Sequence, residues 1–367
     1  MDSVPPPARR IRGAVTYEFG GPMTVEHLDV RPPAPGEVGV RVAACAICHS
    51  DVAYMRGAWG GHLPAVFGHE VAGVVDELGD GVDGLAVGDH VVVTLIRFCG
   101  RCRTCAGGLP ALCEQRGRLG ELARSPLTLG GEPVHQGMRT AGFAERVVAD
   151  VSQIVPVPRT MPLEQAALLA CGVLTGAGAV LRTAAMEAGS LAAVIGLGGV
   201  GLNAVQGCAL AGAPVIIGID PLERKRSAAE RLGATRTATP DEAAAAADEA
   251  TGGRGLDVVV VTAPSGAAVA AAIAMLADGG LAVLVGMPSN ATVTIDPEAI
   301  AERGLRIVGS KVGSARPHTD IPGYASLYEG GRLQLEPLIT HRFPLDDVND
   351  AIATAVGGEA VKVIVVP

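Results

Sequence analysis

Three short strings hold the residue types best suited to chemistry: Cys45-Ala46-Ile47-Cys48-His49-Ser50-Asp51, Gly68-His69-Glu70 and Cys171-Gly172-Val173-Leu174-Thr175-Gly176. Two thiolates and one imidazole around an ion with a fourth place open make a catalytic zinc site. Such a metal binds a substrate oxygen as a Lewis acid and lowers its pKa. Each string alone also has a plainer reading. Cys171 suits buried packing, His69 and Glu70 suit a satisfied core pair, and Cys45 with Cys48 forms a C-x-x-C that suits a redox couple.

A second cluster, Cys99-Gly100-Arg101-Cys102-Arg103-Thr104-Cys105 followed by Cys113, reads C-x2-C-x2-C-x7-C. Four thiolates on one short loop close a tetrahedral zinc with no open position, stabilising a loop with too little core of its own. Clustered cysteines also hold iron–sulfur centres. Cys45 and Cys208 remain as small buried residues. Eight cysteines so unevenly placed in so long a chain do not form a secreted disulfide scaffold. They indicate metal ligation in a reducing compartment, the cytoplasm.

The segment Ala192-Ala193-Val194-Ile195-Gly196-Leu197-Gly198-Gly199-Val200-Gly201 runs an apolar strand into G-x-G-x-x-G, and a helical pattern opens after it. The glycines permit a tight turn, close approach of a pyrophosphate and close helix–strand packing. Phosphates then meet free N–H groups at a helix N-terminus. A βα turn with no ligand would read the same, so the context decides. Asp220 ends the next strand, nineteen residues after Gly201. A carboxylate there hydrogen-bonds the ribose hydroxyls and repels a 2′-phosphate, which selects NAD over NADP. Arg224 and Lys225 follow; they read as a solvated helix face, with Lys225 able to reach the ribose.

Positioning these residues takes two cores, and 367 residues with 49% hydrophobic content supply them. Aromatics are only 3%, so the cores must be built from Val, Leu, Ile and Ala. To about residue 155 the chain reads as β-rich, with Val38–Val42, Val71–Val75 and Val91–Leu95 cut off by Gly, Pro and Asp. From about residue 163 strands (Leu191–Ile195, Val215–Ile219, Leu256–Val261, Leu281–Val285, Leu305–Val308) alternate with helices (Val200–Ala211, Leu222–Leu232, Asp241–Ala250, Ala267–Leu276). That alternation specifies a parallel sheet covered on both faces. The alanine run Ala243–Ala247 reads as a helix surface. The tail from about residue 312 reads as irregular with short strands.

In their order and spacing, Cys48-His49-Ser50-Asp51, Gly68-His69-Glu70 and Gly196–Gly201 resemble the zinc alcohol dehydrogenase branch of the medium-chain dehydrogenase/reductase superfamily, over essentially the whole chain. The resemblance implies an α/β protein with a GroES-like, β-rich catalytic domain and a doubly wound Rossmann cofactor domain. Residues 1–170 would open the catalytic domain, with a structural zinc lobe at about 95–115. Residues 171–311 would form the Rossmann domain, and 312–367 would return to the first. Cys48, His69 and Cys171 would hold a catalytic zinc, and Cys99, Cys102, Cys105 and Cys113 a structural one, two ions per chain. Asp51 would orient His69 through its other ring nitrogen, and Glu70 would stand behind the metal as a transient ligand. Ser50 would contact the substrate oxygen and begin a proton relay. His49 and Lys362 would lie near the pyrophosphate, and Thr175 and Val200 on the nicotinamide. Trp59, Leu95, Met138 and Met287 would wall the substrate pocket; Lys311 reads as a solvated lysine. Many members carry a histidine three residues after the Ser50 position. Here Ala53 stands there, so the relay must end at a ribose hydroxyl and water, or use another group.

The activity so implied is reversible oxidoreduction between an alcohol and NAD, giving an aldehyde or ketone. Two other activities use the same scaffold: oxidation of a thiol–formaldehyde adduct, and reduction of a natural-product aldehyde or enal. A non-catalytic NAD sensor fits less well, because all three ligand types are present. The net charge of −9 and the scattered basic residues argue against nucleic acid. No apolar run approaches a bilayer span, and Met1–Pro7 carries no apolar signal core. The stretch Glu114–Gly142 is longer than in short tetrameric members and resembles dimeric ones, so a homodimer is expected, with a homotetramer as the alternative.

Overall fold

The computed structural model describes residues 8–115, 125–288 and 291–367. The chain divides into two compact units, one of Met1–Cys171 with Arg316–Pro367 and one of Gly172–Ala315. The part of the Glu114–Gly142 insert at 116–124 lies outside the described residues.

The first unit is built on Val-rich strands, whose branched side chains suit a pleated, buried surface. Arg9–Thr16, Met23–Val30, Leu127–Leu129, Glu132–Gln136 and Ala65–Val66 close a barrel. A seven-stranded sheet runs Ile154–Pro156, His90–Val93, Glu70–Leu78, Glu37–Ala46, Lys362–Val366 and Ile339–Pro344, with Arg146–Asp150 also paired to Glu37–Ala46. The core between them is mostly aliphatic, as the composition requires: Val38, Val40, Val42, Val71, Val91, Val147 and Val363 pack with two large rings, Phe67 and Phe143. The C-terminal strand is antiparallel to Glu37–Ala46, with Ile364 opposite Ala46 and Val365 opposite Cys45.

The second unit is a six-stranded parallel sheet in the order Arg236–Ala238, Val215–Ile219, Leu191–Ile195, Leu256–Val261, Leu276–Leu284, Arg306–Gly309. Numbered along the chain this is 3-2-1-4-5-6, the doubly wound order of dinucleotide-binding folds. The helices Gly199–Leu210, Glu223–Arg231, Ala243–Thr251 and Gly266–Ala274 connect the strands. The expected combination of a β-rich unit with a doubly wound α/β unit is therefore what the chain folds into.

Four sequence expectations need correction. The alanine run is not merely a helix surface: Ala243 and Ala247 belong to the core of the second unit, because a helix lying on a sheet buries one residue per turn whatever its composition. The short third strand, Arg236–Ala238, was not anticipated; three residues with a charged start carry no period. The tail contains two helices, Pro317–Glu329 and Val348–Val356, the first disguised by Pro322 and Gly323 inside it. Finally, Leu163–Ala184 is helical throughout and long and apolar enough to cross a bilayer, yet most of it is buried inside the protein, as a core helix is.

Candidate metal centre and dinucleotide loop

The first cluster begins where the strand Glu37–Ala46 ends. Cys48 is the N-cap of the helix His49–Met55, and Asp51, three residues on, accepts the Cys48 backbone N–H at 3.1 Å. This reciprocal capping fixes the turn that presents the Cys48 thiol. The other Asp51 oxygen accepts the Gly68 N–H at 3.0 Å and meets His69 Nδ1 at 2.9 Å. One fully buried carboxylate thus ties the first string to the second. Gly68 has φ +93°, and a Cβ there would lie 2.7 Å from the Phe143 nitrogen, so no other residue fits this turn. Cys171 arrives on a wide π turn, Leu169–Val173, within the helical run, a device found often at functional sites.

One donor atom from each of Cys48, His69, Glu70 and Cys171 lies within 4.8 Å of the others, and all four residues are buried. His69 donates from Nδ1 to Asp51, which leaves Nε2 with its lone pair free; that atom is buried and has no hydrogen-bond partner. An orphaned imidazole nitrogen beside two sulfurs is an unfavourable arrangement unless an ion completes it. The donor set, two sulfurs and one nitrogen with a carboxylate in reach, fits zinc.

The electrostatics agree with a site built for a cation. A hydrogen bond from the Cys171 thiol, opposed by burial and aided by His69, holds the Cys48 thiol well below its usual range. The same contact, with burial, pushes Cys171 well above its own. Binding of a metal by both sulfurs requires both to be deprotonated, so it is coupled to proton release. Burial alone would lower His69, but Asp51 and then Cys48 outweigh it and raise the imidazole. Burial pushes Glu70 up to about 8, against the pull of Lys362.

Sequence reading gave Lys362 to the pyrophosphate; the structure shows it paired with Glu70. Its ammonium is buried and contacts both Glu70 oxygens, at 2.5 and 2.6 Å. No sequence signal could reveal this pair, whose members are 292 residues apart. Burial would lower the Lys362 ammonium, but Glu70 and then Cys48 and Cys171 keep it raised.

Among the other expected residues near the cluster, Ser50 is half-buried and His49 exposed on the same short helix. Trp59 stands edge-on to Tyr54 at 5.2 Å, and Leu95 and Met138 are half-buried. Met287, in the other unit, is 60% exposed, and Lys311 is also exposed. Cys45 is fully buried against Gly68 and Gly142 and is raised by burial. None of the eight cysteines is in a disulfide, and Cys48 keeps company with Cys171 rather than Cys45.

The second cluster is also assembled. One sulfur each from Cys99, Cys102, Cys105 and Cys113 lies within 4.8 Å of the rest. Gly100, at φ +71°, turns the loop. A hydrogen bond from Thr104 leads the lowering of Cys102, to about 5, whereas burial leads the rise of Cys105 to about 12. Closure by four sulfurs fits a structural zinc.

In the second unit, Gly196 turns the chain at φ +94°, and a Cβ on Gly201 would lie 1.8 Å from the Gly196 carbonyl oxygen. Helix Gly199–Leu210 can therefore pack on the loop only with glycine there. Around Gly198, its N-cap, a Cβ would meet nothing within 4 Å, so the space above the helix start is open. Those features fit a pyrophosphate. Gly176, next to Thr175, lies against the Val200 carbonyl. Asp220 is almost buried and accepts the N–H groups of Leu197 at 2.9 Å and Leu222 at 3.0 Å. It thus braces the glycine turn. Arg226, which sequence reading passed over, bonds the Asp220 carbonyl at 2.7 Å, while Lys225 is half-buried and Arg224 exposed.

Comparisons with known proteins agree with this arrangement. Residues 34–159 match the alcohol dehydrogenase GroES-like domain family, and residues 199–329 match the zinc-binding dehydrogenase family. The chain is 34% identical to an NDMA-dependent alcohol dehydrogenase of Amycolatopsis methanolica, covering 97% of this chain and 98% of that one. It is 34% identical to alcohol dehydrogenase class-P of Arabidopsis thaliana, covering 97% of each. Its fold superimposes on crystalline benzyl alcohol dehydrogenase from Acinetobacter calcoaceticus with TM-score 0.92 and 30% identity, over 97% of this chain and 99% of that one.

Proposed function

This chain belongs to the zinc-dependent alcohol dehydrogenase family of the medium-chain dehydrogenase/reductase superfamily, and on that footing we propose that it oxidises a primary or secondary alcohol to an aldehyde or ketone, reversibly, with NAD as electron acceptor. The observation that carries the reading is the convergence of Cys48, His69 and Cys171 with an unpartnered imidazole nitrogen among them. Bound zinc supplies a Lewis acid that acidifies the alcohol hydroxyl, and NAD supplies the two-electron acceptor.

The chain's own residues do the rest. Cys48, His69 and Cys171 hold the ion, Asp51 fixes the tautomer and angle of His69, and Glu70 stands in reach. Ser50, one residue into the helix that Cys48 caps, takes the hydroxyl proton. Ala53 has no group to pass it on, so the proton leaves by water or a sugar hydroxyl. The glycine turn Gly196–Gly201 and Asp220 hold the dinucleotide, with the acid favouring NAD. Alcohol is the class in the names of the relatives described above, which supports the alcohol reading over the thiol–formaldehyde or enal readings. A homodimer in the cytoplasm completes the proposal, resting on the long insert and the thiol-rich composition.

The test is a panel of alcohols and aldehydes assayed with NAD, NADP and NDMA, together with metal analysis. Turnover with NAD, and two zinc per chain of which one is removed with loss of turnover, is the expected result. Turnover with NDMA and none with added NAD would overturn NAD as the electron acceptor. A fully zinc-loaded chain inactive on every alcohol would overturn the proposal.

A further inference from the structure

The pairing of Lys362 with Glu70 follows from two strands converging on one residue. Glu70 opens the strand Glu70–Leu78 opposite Ala46, and the C-terminal strand meets the same segment, with Ile47 N–H bonded to the Val363 carbonyl at 2.9 Å. Lys362 and Glu70 therefore face each other beside the metal donors. The Lys362 side chain is 5% exposed and that of Glu70 0%. Both carboxylate oxygens are occupied by the one ammonium, whose next acceptor is the Ile47 carbonyl at 3.4 Å. For Glu70 to leave this partner, a buried ammonium would be left with one long hydrogen bond, a costly state. Without Lys362, the nearest counter-charge for a buried Glu70 carboxylate would be the metal itself.

Resting on the zinc reading above, we propose that Lys362 is a positioning residue for the metal centre. By holding both oxygens of Glu70, it keeps that carboxylate out of the ion's coordination and leaves the fourth place open to an exogenous ligand. Glu70 reaches the ion only when the pair opens, so Lys362 sets how freely ligands exchange there.

The experiment uses the full chain with cobalt(II) in the catalytic site and no dinucleotide, which separates this role from any contact with phosphate. The readouts are the cobalt d–d spectrum and the dissociation constant of imidazole. K362M is expected to shift the d–d bands and weaken imidazole about tenfold or more, as Glu70 takes the open place. K362R and E70Q stay close to the parent, and the double variant K362M/E70Q returns to it. K362Q serves the same arm if K362M does not retain zinc at Cys99–Cys113. The proposal is overturned if K362M or K362Q leaves both readouts unchanged, even where dinucleotide binding weakens, or if E70Q alone shifts the spectrum. Absence of a thiolate-to-cobalt charge-transfer band in the parent chain would instead overturn the zinc reading itself.

Discussion

Replacing Asp51 by asparagine tests the central tie of the metal centre. The carboxylate takes three buried contacts: Gly68 N–H at 3.0 Å and His69 Nδ1 at 2.9 Å on one oxygen, Cys48 N–H at 3.1 Å on the other. An amide has one oxygen to offer. Set in the place that serves Gly68 and His69, it turns its NH2 toward the Cys48 N–H and strands that donor. Set the other way it strands two donors, so the first orientation is adopted. One unsatisfied buried donor costs about 1–3 kcal/mol. The neutral acceptor also holds the imidazole less firmly, a loss of roughly 10–100-fold in metal affinity, or about 1.4–2.7 kcal/mol. D51N should therefore lose zinc from the Cys48 site to a chelator at correspondingly lower concentration, while the Cys99–Cys113 site in the same molecule holds its zinc unchanged. Denaturant unfolding of the metal-free chain reports the first cost separately. If both zinc ions of D51N compete with chelator as in the parent, within about twofold, the claim that Asp51 orients the ligands is refuted.

Four further outcomes follow from particular contacts. A53H restores a relay group beside Ser50, so proton release should quicken and lose its dependence on buffer; an unchanged pH–rate profile would count against the assigned relay gap. G201A places a Cβ 1.8 Å from the Gly196 oxygen, so dinucleotide binding, read by fluorescence titration, should be lost while both zinc ions remain. G39A puts a Cβ 2.1 Å from Arg146 Nη2 and 2.8 Å from Asp76 Oδ1, pushing apart a largely buried ion cluster; denaturant unfolding should show a loss of about 1–3 kcal/mol. Burial would raise Glu145, but hydrogen bonds from Arg12 outweigh it and hold the carboxyl below its ordinary value. Stability from that pair is therefore present above about pH 4.5 and fades as pH falls through the depressed value. For these half-exposed partners it amounts to at most ~1 kcal/mol, and the unfolding curves of E145Q and the parent should converge in acid.

Much of the second unit could be read from the residues alone. Leu191–Ile195, Val215–Ile219 and Leu256–Val261 stand where the apolar runs put them, because strands buried on both faces leave uninterrupted Val and Ile. Arg236–Ala238 left no such run. The helix Pro317–Glu329 was hidden because Pro322 and Gly323 suppress local helix propensity, and packing overrides it. The thiols of Cys99, Cys102, Cys105 and Cys113 were legible as a cluster because one loop carries them all, so short-range spacing was enough.

Residue identity and local order were determined by the sequence: which side chains could ligate a metal, which glycines a tight turn needs, where strands and helices alternate. What only the tertiary structure decided is which distant groups meet, and with which partner. Lys362 carried a charge whose partner no nearby residue announced, and the register of the C-terminal strand set it against Glu70. Asp220 carried a carboxylate, and the packing of the glycine turn engaged both of its oxygens with backbone N–H groups. The physical reason is common to both. A buried charge is stable only where a counter-charge or hydrogen-bond donors meet it, and which groups do so is a property of strand pairing and packing that no local stretch of sequence encodes.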